Sequence, residues 1–80
     1  MVVSLRTSIA VGAVFRRGAV VPRWFLYRGR KIPVREITYT WTEREGSTVC
    51  LHFSVSDGVN LYELSFRPER LMWILEAVED

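Results

Sequence analysis

Two groups of residues carry side chains that could do chemistry. The first is the run Arg23-Trp24-Phe25-Leu26-Tyr27-Arg28-Gly29-Arg30-Lys31, in which arginines bracket aromatic rings. Guanidinium groups meet phosphates, and aromatic faces stack on bases for ~1–3 kcal/mol each, which suits a single-stranded nucleic acid. Ten of the eleven basic residues are arginine, and the planar guanidinium bonds phosphate or carboxylate in a bidentate way that lysine cannot. On this reading Arg23, Arg28, Arg30 and Lys31, joined by Arg16 and Arg17, contact an anion, and Phe25 or Tyr27 stacks. A plainer reading puts Trp24, Phe25 and Tyr27 in a core and pairs the arginines with Glu36, Glu63, Glu76 and Glu79 on neighbouring strands. The second group is Cys50 and His52. As i and i+2 residues of a strand they share a face, but the pleat sets them ~7 Å apart rather than aiming one at the other, and no third orienting group is evident. They read as a semi-exposed strand face.

Nothing else in the chain suggests catalysis. The nine acidic residues are scattered through turns and strand exteriors, and no pair has a spacing that demands acid–base work. Glycine-rich phosphate loops, GxSxG elbows and HExxH helices are absent. No catalytic residue, metal site or cofactor is therefore expected.

The distribution of charge is more informative than its total. Residues 1–35 hold eight basic groups and no acid, giving +8; residues 36–80 hold all nine acids and only Arg44, Arg67 and Arg70, giving −6. The net charge is only +2. Such asymmetry points to an anionic partner or to two halves that neutralise each other.

Eighty residues make one domain, and a chain this short buries only roughly 60–65% of its unfolded surface. Cys50 is the single cysteine, so no intramolecular disulfide and no multi-thiolate zinc site is available. Three Trp, three Tyr and four Phe supply the core instead, at roughly 150–250 Å² each. The apolar run Ile9–Phe15 is flanked by Arg6 and Arg16-Arg17 and lacks a small-residue cleavage site, so it does not read as a signal peptide. No run reaches the ~20 apolar residues of a membrane span. A soluble cytoplasmic protein with no membrane partner is expected.

Glycines beside polar residues punctuate apolar runs, as in a small β domain. Leu5 to Phe15 alternates with period two and predicts a first strand. A turn at Arg17-Gly18-Ala19 leads to a short second strand, Arg23 to Arg28, with Trp24 and Leu26 on one face and Phe25 and Tyr27 on the other. Arg28-Gly29 turns into a third strand, Lys31 to Thr42, whose phase changes at Arg35-Glu36, where a β-bulge would restore one buried face. Glu43 to Ser47 reads as a polar loop. In the fourth strand Val49, Leu51, Phe53 and Val55 point inward and Cys50, His52 and Ser54 outward. Asp57-Gly58 signals a type I′ hairpin into a fifth strand, Asn60 to Arg67, which offers Tyr62, Leu64 and Phe66 to the core. The last segment reads either as a helix opened by Pro68 or as a sixth strand, Met72 to Glu79.

In this order the chain resembles a small uncharacterised bacterial domain family. The likeness lies in Tyr27-Arg28-Gly29-Arg30 with Val34, then Ile37 and Trp41, Phe53 and Val55 before Asp57-Gly58, Tyr62-Glu63-Leu64, and Trp73 with Leu75. It covers Pro22 to the C-terminus. The family pattern has Trp where this chain has Tyr27, and its terminal segment is shorter and less helix-like. Similar domains also occur with proteins related to translesion (Y-family) DNA polymerases. The resemblance implies an all-β domain, favours a strand for the last segment and transfers no catalytic residue.

The expectation is thus a single all-β domain over residues 1–80, with five or six antiparallel strands in a partly open barrel. Its core would comprise Ile9, Val11, Phe15, Trp24, Leu26, Val34, Ile37, Trp41, Leu51, Phe53, Val55, Tyr62, Leu64, Phe66, Trp73 and Leu75. The expected function is a non-enzymatic binding module for nucleic acid or another anionic partner. The alternative is a protein-interaction or self-association module, with an acidic protein or a second copy as partner.

Overall fold

The structure, a computed structural model, describes residues 1–80. It is all β, with eight strands in two antiparallel sheets. The strands are β1 (Val2–Ile9), β2 (Val11–Arg16), β3 (Ala19–Tyr27), β4 (Arg30–Pro33), β5 (Glu36–Glu45), β6 (Thr48–Ser56), β7 (Leu61–Arg67) and β8 (Met72–Glu79). A five-stranded sheet has the order β1-β8-β7-β6-β5 and a three-stranded sheet the order β2-β3-β4. The last segment is a strand, since β8 is hydrogen-bonded between β1 and β7.

The expected count of five or six strands and the barrel are corrected. The first expected strand breaks at Ala10, and its two halves join different sheets. The third breaks at Val34-Arg35 for the same reason, so the phase change there marks a change of sheet. The bulge of that segment lies further on, between Ile37 and Tyr39. Corner hydrogen bonds hold the crossings: Leu26 N donates to Ala10 O at 3.0 Å, Val34 N to Arg23 O at 2.9 Å, and Arg35 N to Ser56 O at 2.8 Å. The two sheets are not closed into a barrel, because β5 pairs only with β6 and β4 pairs only with the second half of β3.

Both hairpins of the small sheet turn on an Arg-Gly pair. Arg17 and Gly18 have φ of 50° and 77°, and Arg28 and Gly29 have 53° and 73°. Two central residues at positive φ match the twist of antiparallel strands, which is why Asn-Gly is favoured at such turns. Arginine at the first position is an uncommon choice, since its Cβ crowds the left-handed conformation. The Asp57-Gly58 hairpin is wider than expected. Asp57 Oδ1 accepts from the N–H groups of Val59 and Asn60, both at 2.8 Å, and closes a loop over residues 57–60. The polar run Glu43 to Glu45 belongs to β5 rather than to a loop, and the turn narrows to Gly46-Ser47.

The core lies between the sheets and contains Phe25, Ile32, Phe53, Val55, Tyr62, Leu64, Phe66, Trp73 and Leu75. The Phe25 ring meets Tyr62 edge-on, with centroids 5.0 Å apart, and so joins the small sheet to the large one. This inverts the expected facing of the second strand. Phe25 pairs with Val11 on β2 and Ile32 on β4, and those apolar neighbours fix its face as the inner one. Trp24 and Leu26 point outward, and Leu26 is exposed. Phe15 remains 60% exposed although it touches Phe66. Trp41 lies on the outer face of the large sheet, stacked on His52 at 5.1 Å.

Candidate anion-binding surface

Two acids, Glu45 and Glu76, find partners across strands of the large sheet. β8 and β1 bulge at the same level, where Glu76 and Arg6 leave the regular register. The carboxylate of Glu76 accepts from Ser65 Oγ at 2.7 Å and lies 3.6 Å from Arg6 Nε. Glu45 accepts from Arg67 Nη2 at 2.8 Å. That hydrogen bond holds the Glu45 carboxyl below its usual value and raises Arg67 above its own. Arg67 Nη1 also donates to Cys50 Sγ at 3.4 Å.

Cys50 and His52 are not semi-exposed, which corrects the sequence reading. Both are buried, because Trp41, Glu43, Glu45, Glu63 and Arg67 lie over them. Burial pushes the Cys50 thiol above its ordinary value, which favours the protonated form. His52 has Glu43 3.4 Å from Nε2 and Glu63 3.4 Å from Nδ1, at angles too poor for hydrogen bonds. On the inner side, Tyr62 Oη donates to Asp57 Oδ2 at 2.9 Å. Burial acts to raise Asp57, but the bonds from Asn60, Val59 and Tyr62 outweigh it and hold the carboxyl below 3.8.

The basic residues of the first half are arranged otherwise. Arg6 is the only one of the eight with a carboxylate within 4.0 Å; Arg16, Arg17, Arg23, Arg28, Arg30, Lys31 and Arg35 have none. The expected pairing of these arginines with Glu36, Glu63, Glu76 and Glu79 is therefore absent. Nor do the cations form one cluster. Arg16 and Arg17 lie at the β2–β3 tip, and Arg28 and Arg30 at the β3–β4 tip. The two tips are separated by the length of β3, roughly 26 Å at the usual rise per residue.

At the β3–β4 end, Tyr27, Arg28, Arg30, Asn60, Val78 and Asp80 line a groove together with the buried Ile32 and Tyr62. The Arg28 guanidinium stands 5.3 Å over the half-buried Tyr27 ring. Phe25 is fully buried, so its ring has no face free to stack on a ligand. The residue the sequence reading missed is Trp24. Its indole lies across Gly12 of β2 so closely that a Cβ there would stand 2.1 Å from the ring. Lys31 Nζ sits 4.7 Å over the same ring. Arg23 is exposed beside it, at the bulge where Gly12 pairs with Trp24 and Ala13 with Pro22. A glycine opposite a tryptophan would have been the available signal, had the register been known.

Comparison with protein-family models, with curated proteins and with solved structures gives no match.

Proposed function

We propose that the chain is a non-enzymatic binding module for an anionic polymer, single-stranded nucleic acid above all. The outer face of the small sheet and its β3–β4 tip would form the site. The observation that supports this best is the absence of any carboxylate within 4.0 Å of Arg23, Arg28, Arg30 and Lys31, while Glu45 and Glu76 of the large sheet are bound to Arg67 and to Ser65 and Arg6. Trp24 supplies a ring held flat by Gly12, and Tyr27 supplies a second ring at the tip. A base arriving on Trp24 would displace the Lys31 ammonium toward a phosphate, which exchanges a cation–π contact for an ion pair. The use of arginine at a positive-φ turn position supports the reading as well, since a local conformational cost is kept where a charge is placed. The resemblance to domains that occur with translesion polymerase-like proteins points the same way, by analogy alone.

Titration of a fluorescent oligothymidylate at two salt concentrations tests the proposal. With four phosphate contacts, log K falls against log salt with a slope of roughly −3. Trp24→Ala removes one stacking platform, about 1–3 kcal/mol. Absence of binding at low salt would sink the idea. A competing reading has the same cations meet the exposed Glu36 and Glu79 of a second copy. Light scattering separates the two: a dimer that dissociates in high salt, with no oligonucleotide binding, would favour self-association.

A further inference from the structure

We propose that the cleft between β3 and β5 is a docking slot for an extended peptide that alternates apolar residues and carries acids at one end. The inference does not rest on the nucleic-acid reading, since the slot lies at the other end of the small sheet from Arg28 and Arg30.

Two strand edges without partners face each other across this cleft. β5 is the edge of the large sheet, and β4 leaves the first half of β3, Ala19 to Pro22, unpaired on that side. No backbone hydrogen bond joins β3 to β5. Ala19, Val20 and Val21 line one wall and Ile37, Thr40 and Thr42 the other, over a floor that includes Leu51 and Phe53. The floor continues past Val20 and Leu51 to Phe66, Phe15 and Leu71, the last two 60% and 80% exposed.

An open edge exposes a row of N–H and C=O groups that an added strand satisfies. β5 has ten residues and contains neither lysine nor proline, the usual guards of such an edge. Its protective features sit toward its ends, the bulge between Ile37 and Tyr39 and the charged residues Glu36, Glu43, Arg44 and Glu45, which leave the stretch Thr40 to Thr42 unguarded. The backbone thus selects an extended chain, and the floor selects apolar side chains at every second position. Charge fixes the remaining feature. Arg16 and Arg17 stand at the mouth, and Arg44 lies on the inward side of β5 beyond Thr42; none has a carboxylate within 4.0 Å. A basic or neutral peptide would leave these charges unanswered, whereas acids near the β2–β3 tip pair with them.

The probe is a blocked, fluorescent ten-residue peptide of alternating valine and threonine with two glutamates at one end. Saturable binding is expected, with new amide-exchange protection between Ile37 and Thr42. Replacing a central threonine of the peptide by proline, which cannot donate to a ladder, should weaken binding at least about tenfold. The double variant Arg16→Ser with Arg17→Asn, which retains a residue suited to positive φ, should weaken it about tenfold. The double variant Arg28→Ser with Arg30→Ser should leave it unchanged. The proposal is overturned by absence of saturable binding, by equal affinity for the proline peptide, or by protection confined to the β3–β4 tip. A dimer without peptide whose β5 edge is already protected would give the slot to a second copy and overturn it as well.

Discussion

The outer faces of the two sheets hold their charged groups in opposite ways. On the large sheet, Glu76 bridges Ser65 and Arg6, Glu45 clasps Arg67, and Glu43 and Glu63 flank His52. Each is drawn into a cross-strand network that covers buried polar atoms. On the small sheet, Arg23, Arg28, Arg30 and Lys31 have no carboxylate within 4.0 Å, and Arg28 and Lys31 stand over aromatic rings instead. Opposite charge in two halves of a chain therefore does not by itself pair them. The large sheet answers Glu45 with Arg67, and Glu76 with Arg6 and the β7 hydroxyl of Ser65. The seven first-half cations other than Arg6 have no carboxylate within 4.0 Å.

The largest effect is expected at two adjacent residues of β3 that face opposite ways. Phe25→Ala should cost about 3–5 kcal/mol, because it empties the contact between the sheets. Trp24→Ala should cost much less stability while reducing oligonucleotide affinity. Urea unfolding of both variants checks the assignment of inner and outer faces, and equal losses would contradict it.

Glu76→Ala comes next. It strands the buried Ser65 hydroxyl and removes the partner of Arg6, for a loss of about 2 kcal/mol. In a domain of this size that lowers Tm by roughly 8–16 °C. Arg28→Ser should shift stability by no more than about 0.5 kcal/mol, as surface substitutions usually do. Similar losses in the two variants would remove the distinction between the sheets.

Arg28→Asn separates stability from binding. Asparagine tolerates positive φ better than arginine, so the variant should gain a few tenths of a kcal/mol while its affinity for oligonucleotide falls. Thermal melts and titration together read the two opposite signs.

The smallest effect concerns pH. The folded Asp57 carboxyl is held below its ordinary 3.8, so it adds stability above that value and loses it as pH falls through the lower folded one. Asp57→Asn should therefore melt lower than the parent at neutral pH. Its Tm should also fall less between about pH 5 and pH 2. Parallel pH dependences of the two proteins would show that the loop bonds to Asp57 carry no such linkage.

Much of the architecture is a local property of the chain and can be read from it. The alternation through β6 and β7 places Phe53, Val55, Tyr62, Leu64 and Phe66 inward, as they are. Gly18 and Gly29 mark the two tight hairpins because they supply positive φ, and the Arg28-Gly29-Arg30 tip stands out by composition alone. The face of β3 could not be read that way. Trp24, Phe25, Leu26 and Tyr27 are all apolar enough for either side, and period two has no preference when both faces qualify. Contacts distant in sequence decided it, with Ile32 and Val11 beside Phe25 and Gly12 beneath Trp24.

Changes of sheet at Ala10 and Val34-Arg35 were hidden for a similar reason, since a strand keeps its alternation as it passes a corner. Burial of Cys50 and His52 depends on long side chains reaching over from β5 and β7. Composition and local pattern show which residues are charged, where the chain turns and how the inner strands alternate. Which charges meet was settled only by the fold, because pairing depends on register between strands distant in sequence, as in Arg6 and Glu76, seventy residues apart.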